Sequence, residues 1–124
     1  MKRLLFISRS GLCHNLLQEV LSLVPVKTEL VPLEGFSQVE QLPESEKKFA
    51  LVLVDQNCLE GDPEWKGDGI PMKHPSVKTA QTILIYPHNR KPDPRLTEKI
   101  SFEAMGQKPF LPEELASLIS KGLR

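Results

Sequence analysis

Residues 49–55 read Phe49-Ala50-Leu51-Val52-Leu53-Val54-Asp55. Six apolar residues end abruptly on an aspartate. A strand with one wet face alternates apolar and polar positions, so an unbroken run of this length marks a strand buried on both faces, in the middle of a parallel sheet. Asp55 is thereby placed at the carboxyl end of a central strand, where open α/β sheets gather their sites.

The same continuous apolar character appears at Arg3 to Ser8 and at Thr82 to Tyr86, and weaker strands fit Val26 to Val31 and Glu103 to Gln107. Leu12, Leu16, Leu17, Val20, Leu21 and Val24 fall at helical spacing and are stopped by Pro25. Ser37 with Glu40 predicts a capping box on a short helix carrying Phe36, Val39 and Leu42, ended by Pro43. Asp93-Pro94 reads as an N-cap followed by proline at the first helical position, with Leu96 and Ile100 as a minimal apolar face. The last helix starts at Pro112, carries Glu113 and Glu114 where the helix dipole favours acids, and buries Leu115, Leu118 and Ile119 before Gly122. Between Gln56 and Gln81 the glycines and prolines (Gly61, Pro63, Gly67, Gly69, Pro71, Pro75) leave no window for a long helix, so this stretch is a functional loop or hides a short helix. Strands alternating with helices predict an α/β fold with a parallel sheet covered on both faces.

The chain of 124 residues is one domain's worth, 1–124, and 40% hydrophobic residues suffice for an aliphatic core. Sixteen Lys+Arg balance sixteen Asp+Glu, which argues against a nucleic-acid binder that works by neutralising phosphates. No apolar run approaches the ~18 residues of a membrane helix, and the basic pair Lys2-Arg3 precedes too short an apolar stretch for a signal peptide. Cys13 and Cys58 are far apart without a C-x-x-C motif, which predicts reduced thiols and a cytoplasmic location.

The strand-end rule singles out Ser8-Arg9-Ser10, Asp55-Gln56-Asn57-Cys58, Tyr86-Pro87-His88-Asn89 and Lys108-Pro109-Phe110. An aspartate beside a lysine on that rim suits a nucleophile, a metal ligand or half of an ion pair. Cys13, Cys58, His14 and His88 lack the close spacing of a structural zinc site, and half-buried thiols account for the cysteines. Asp55, Cys58 and His88 allow a small ligand-binding domain or a hydrolase with a Cys58 nucleophile and His88 as base. His88, Asn89, Arg90 and Lys91 with Arg9 and Lys108 form either a solvated loop or an anion-binding rim. Trp65 either caps the core or anchors a protein contact.

The run 49–55 and the ending Gly106-Gln107-Lys108-Pro109-Phe110-Leu111-Pro112-Glu113-Glu114-Leu115 resemble the third strand, and the fifth strand plus last helix, of receiver domains of bacterial response regulators. Lys108-Pro109-Phe110 also stands at close to that family's usual separation from Asp55. The resemblance implies a flavodoxin-like, doubly wound sheet of five parallel strands in the order 2-1-3-4-5, here with the third helix short or missing. It implies phosphoryl transfer from a histidine kinase to Asp55, with Mg²⁺ held by an acidic pair after the first strand and Lys108 binding the phosphoryl oxygens. A cis Lys108-Pro109 bond is expected, and the fifth strand with the last helix is the face expected to meet partners.

Other positions depart from the family. Ser8 and Arg9 occupy the acidic-pair positions, so Mg²⁺ binding is expected to be lost or weak and no cofactor is expected. Tyr86, or Pro87 if the loop is one residue shorter, falls at the position of the small hydroxyl switch, and neither can imitate it. The expectation is a pseudo-receiver: a module of bacterial signalling with no enzymatic turnover, in which Arg9 replaces the metal beside Asp55. It would contact a signalling protein or histidine kinase as a monomer or weak homodimer, without nucleic acid or membrane. The alternative within the family is a phosphorelay receiver phosphorylated at Asp55.

Overall fold

The computed structural model describes residues 2–42, 48–59, 77–98, 100–108 and 110–123. Five strands, β1 (Lys2–Ile7), β2 (Thr28–Leu33), β3 (Leu51–Asp55), β4 (Gln81–Pro87) and β5 (Ala104–Lys108), form one sheet in the order β2-β1-β3-β4-β5. Every pairing is parallel, so each connection is a crossover. This is the flavodoxin-like architecture expected from the sequence.

The alternation of side chains along each strand divides the core into two layers. Leu4, Phe6, Leu51, Leu53, Ile83 and Ile85 face one way, against α1 (Gly11–Leu21) and α3 (Pro112–Gly122). Leu5, Ile7, Val52, Val54 and Leu84 face the other, under Val39 of a 3₁₀ helix (Phe36–Gln41), Val77, and Leu96 of a one-turn α2 (Pro94–Thr97). All five residues of β3 are buried, which is why that strand carries the longest apolar run.

Several boundaries differ from the sequence reading. β2 runs on through Pro32, which pairs with Phe6 in register; as an edge strand bonded on one side only, it tolerates a residue with no N–H. The apolar line of α1 is turned by about one position. Leu17 and Val20 are buried, with Cys13 and Leu21 packed at their border, whereas Leu12 is 83% exposed and Leu16 39%. The capping box on Ser37 and Glu40 does not frame an α-helix. The segment is a six-residue 3₁₀ helix that begins after an extended Gly35, because so few residues separate Gly35 from Pro43 that nucleating an α-helix yields little. After β3 the chain opens with a short 3₁₀ turn, Gln56–Leu59. The expected short or missing third helix falls largely on residues 60–76, outside the described residues, as does Trp65.

The helix starts are held by the following bonds. Ser10 caps α1, its hydroxyl accepting the Cys13 N–H at 3.2 Å. The Asp93 carbonyl accepts from Leu96 and Thr97 at the start of α2. The Glu114 carboxylate accepts the Leu111 N–H at the start of α3.

Candidate functional site

The topology brings three strand ends together. Asp55 ends β3, Ser8 follows β1 beside it, and Lys108 ends β5, reaching past β4. Asp55 is fully buried, and a bare carboxylate there would be strongly disfavoured. Its solvation is replaced by protein groups. Lys108 Nζ lies 2.9 Å from both carboxylate oxygens, the Ser8 hydroxyl donates to Oδ2 at 3.1 Å, and the Asn57 N–H donates to Oδ1 at 3.3 Å. The last of these closes a turn of the kind that aspartate side chains make with the backbone two residues on.

Ser8 is itself fully buried and is held from both sides. Its oxygen accepts the Ser10 N–H at 3.2 Å while its hydroxyl proton points to Asp55. The Asn57 amide oxygen lies 3.3 Å from the same hydroxyl and accepts the backbone N–H of Arg9 at 3.0 Å, tying the β1 and β3 ends together. Arg9 is exposed and is not among the groups that bind Asp55; the position expected for it beside the carboxylate is taken by Ser8 and Lys108. His14, on the first turns of α1, sits with Nε2 2.7 Å from the Ser8 carbonyl and its ring edge-on to Phe6.

Gln56 braces the neighbouring loop. Its amide group donates to the Lys91 carbonyl at 3.2 Å and accepts the Asp93 N–H at 2.7 Å. Asn57 and Gln56 bind the site's loops together, and the sequence reading placed them on the rim without assigning them a task. The available signal was polar residues immediately after a fully apolar strand, where any buried amide needs partners.

Tyr86 is half-buried at the end of β4, opposite Gln107 in the ladder and packed against the second core layer; it makes no hydrogen bond to Asp55. His88, Asn89, Arg90 and Lys91 are exposed, and the His88 N–H donates to the Lys108 carbonyl, extending the β4–β5 ladder by one residue. No hydrogen bond joins His88 to Asp55 among the described residues, and the pairing of Cys58 with His88 read from the sequence falls on a side chain outside them. The side chain of Cys58 and the Lys108-Pro109 bond lie outside the described residues. Among the described residues no group of three or more His, Cys, Asp or Glu side chains converges as a metal site.

The donor set also fits Mg²⁺ poorly. That ion needs several oxygen ligands in near-octahedral geometry. Here Asp55 offers its two oxygens already bonded to an ammonium, and the β1 end supplies a hydroxyl whose proton is directed at the same carboxylate.

No protein-family model matches the chain, and no curated protein matches it in sequence. Its fold does match solved structures. A signal receiver domain of an HD domain-containing protein from Pseudomonas fluorescens Pf-5 superposes with a TM-score of 0.70 at 19% identity, covering 98% of this chain and 94% of that one. Response regulator Rcp1, in a Mn(2+)-bound form, gives 0.67 at 18% identity, over 98% and 91% of the two chains. A signal receiver domain of a histidine kinase from Clostridium thermocellum gives 0.68 at 10% identity, over 99% and 98%. The chain therefore has the receiver fold.

Proposed function

We propose that this chain is a pseudo-receiver: a signalling module that works through protein contacts, with Asp55 kept as a structural carboxylate and not cycled through an acyl phosphate. The observation that carries this reading is the buried Ser8. Where the receiver family places carboxylates for Mg²⁺, this chain has a hydroxyl that donates to Asp55 Oδ2 at 3.1 Å, and next to it a cation. Phosphoryl transfer to a carboxylate needs charge neutralised on the incoming group, and a metal supplies much of that neutralisation. Among the described residues no second carboxylate joins Asp55 as a ligand for it, and Lys108, which would face the charge, already serves Asp55. The activity this reading assigns is recognition of a signalling protein or a histidine kinase.

The test is incubation with acetyl phosphate and Mg²⁺ followed by intact mass measurement. No adduct is expected. An acid-labile phosphoryl adduct that disappears in Asp55→Asn would overturn the reading and leave a working phosphorelay receiver. Adding acids by Ser8→Asp with Arg9→Asp creates the missing ligand set, so measurable Mg²⁺ binding is expected in the double variant and not in the parent.

A further inference from the structure

We propose that the recess between α1 and the ends of β4 and β5 is a binding site for a small amphipathic carboxylate. The recess has a volume of about 360 Å³, within the range of roughly 300–1,000 Å³ typical of small-ligand sites. Its floor is core: Phe6, Leu17, Ile85 and Leu115 are each buried yet line the space. Its sides are Cys13 and Leu16 of α1 and Phe110 after β5, and its mouth is Lys108, His88 and Asn89. An apolar body fits such walls.

The mouth decides the head group. It offers an ammonium, an imidazole and an amide, and among the described residues no acidic side chain lines the recess. Lys108 directs its Nζ at both oxygens of Asp55, which leaves one of its three N–H donors for a ligand. An anionic acceptor is therefore matched, and a cationic head would meet only positive or neutral groups. Leu16, on the lip, is 39% exposed, and the neighbouring Leu12 83%, so apolar surface continues from the recess to solvent. Such continuous exposed apolar surface rimmed by polar groups marks a binding face. An unfilled apolar cavity destabilises a fold, so a molecule that fills this one stabilises it. Because Lys108 belongs to both the recess and the Asp55 pair, occupancy is felt at the strand-end site.

Decanoate is the probe, with decylamine as its cationic counterpart, both at concentrations below micelle formation. Cys13 lies in the wall, so its alkylation by iodoacetamide, followed by peptide mass mapping with the Cys58 peptide as internal reference, reports occupancy. Decanoate is expected to protect Cys13 saturably and to raise Tm; decylamine is expected to do neither at the same concentration. Leu16→Glu, a change at a partly exposed position, places a negative charge on the lip and is expected to weaken decanoate at least about tenfold. Cys13→Trp fills the space and is expected to abolish the Tm shift. Equal protection by decylamine would overturn the head-group assignment. Absence of saturable protection by decanoate, or binding unchanged in Leu16→Glu, would overturn the site.

Discussion

Asp55 and Lys108 face each other unequally. The carboxylate is wholly buried, whereas the Lys108 side chain keeps 24% of its surface. Removing the lysine strands an anion with no access to water, and breaking a buried pair in this way costs about 3–5 kcal/mol. Removing the anion strands a cation that is able to rehydrate. Lys108→Met is therefore expected to lower the unfolding free energy by about 3–5 kcal/mol and Asp55→Asn by about 1–2 kcal/mol, the asparagine keeping some of the hydrogen bonds. Urea denaturation of the two variants measures the difference; a larger loss in Asp55→Asn would contradict this picture of the pair. At this scale the sequence showed Asp55 clearly, because it ends an apolar run, and Lys108 through the Lys108-Pro109-Phe110 stretch that carries the family resemblance. It did not show that Ser8 bonds Asp55, or that Gln56 reaches Lys91 and Asp93, since those partners lie 47 and 35–37 positions away and no local pattern encodes them.

Among the elements, β5 depends on one small residue. A Cβ on Gly106 would lie 2.7 Å from Phe110 Cζ and 3.1 Å from Leu118 Cδ2, so the close approach of the ring to the strand requires glycine. Gly106→Ala is expected to cost about 1–3 kcal/mol, as overpacked sites do, and to push the Phe110 ring aside. Thermal unfolding checks the cost, and because Phe110 forms a side of the recess, Cys13 alkylation in the same variant checks the displacement. The strands were legible in the sequence to within two residues at their ends: burial on both faces gives β1, β3 and β4 continuous apolar runs, while the half-buried edge strands β2 and β5 leave a weaker signal. The helices were less so. The rotation of α1 escaped notice because Leu12 and Leu16 are as apolar as Leu17, and only packing against α3 and the sheet decides which line turns inward. The segment around Val39 was read as an α-helix since its cap residues satisfy the pattern; its shortness, a property of the neighbouring breakers, decided otherwise.

At the scale of the whole molecule, the two-layer arrangement and the strand order followed from the alternation of strands and helices together with the family resemblance. The site followed only in outline: the fold rule named four strand ends, and three of them contribute groups to the Asp55 network. Tyr86, at the fourth, joins the second core layer instead. The order of the strands also sets a clock. Asp55 is made 53 residues before Lys108, so at the usual synthesis speed of about 5–20 residues per second the nascent chain waits roughly 3–10 s for the charge that neutralises its central carboxylate. Until the fifth strand emerges, that anion has only the Ser8 hydroxyl, the Asn57 N–H and water as partners and no countercharge, so burying it in the middle of the sheet is unfavourable. The buried pair thus makes full burial of the central carboxylate depend on a residue supplied by the last strand of the sheet.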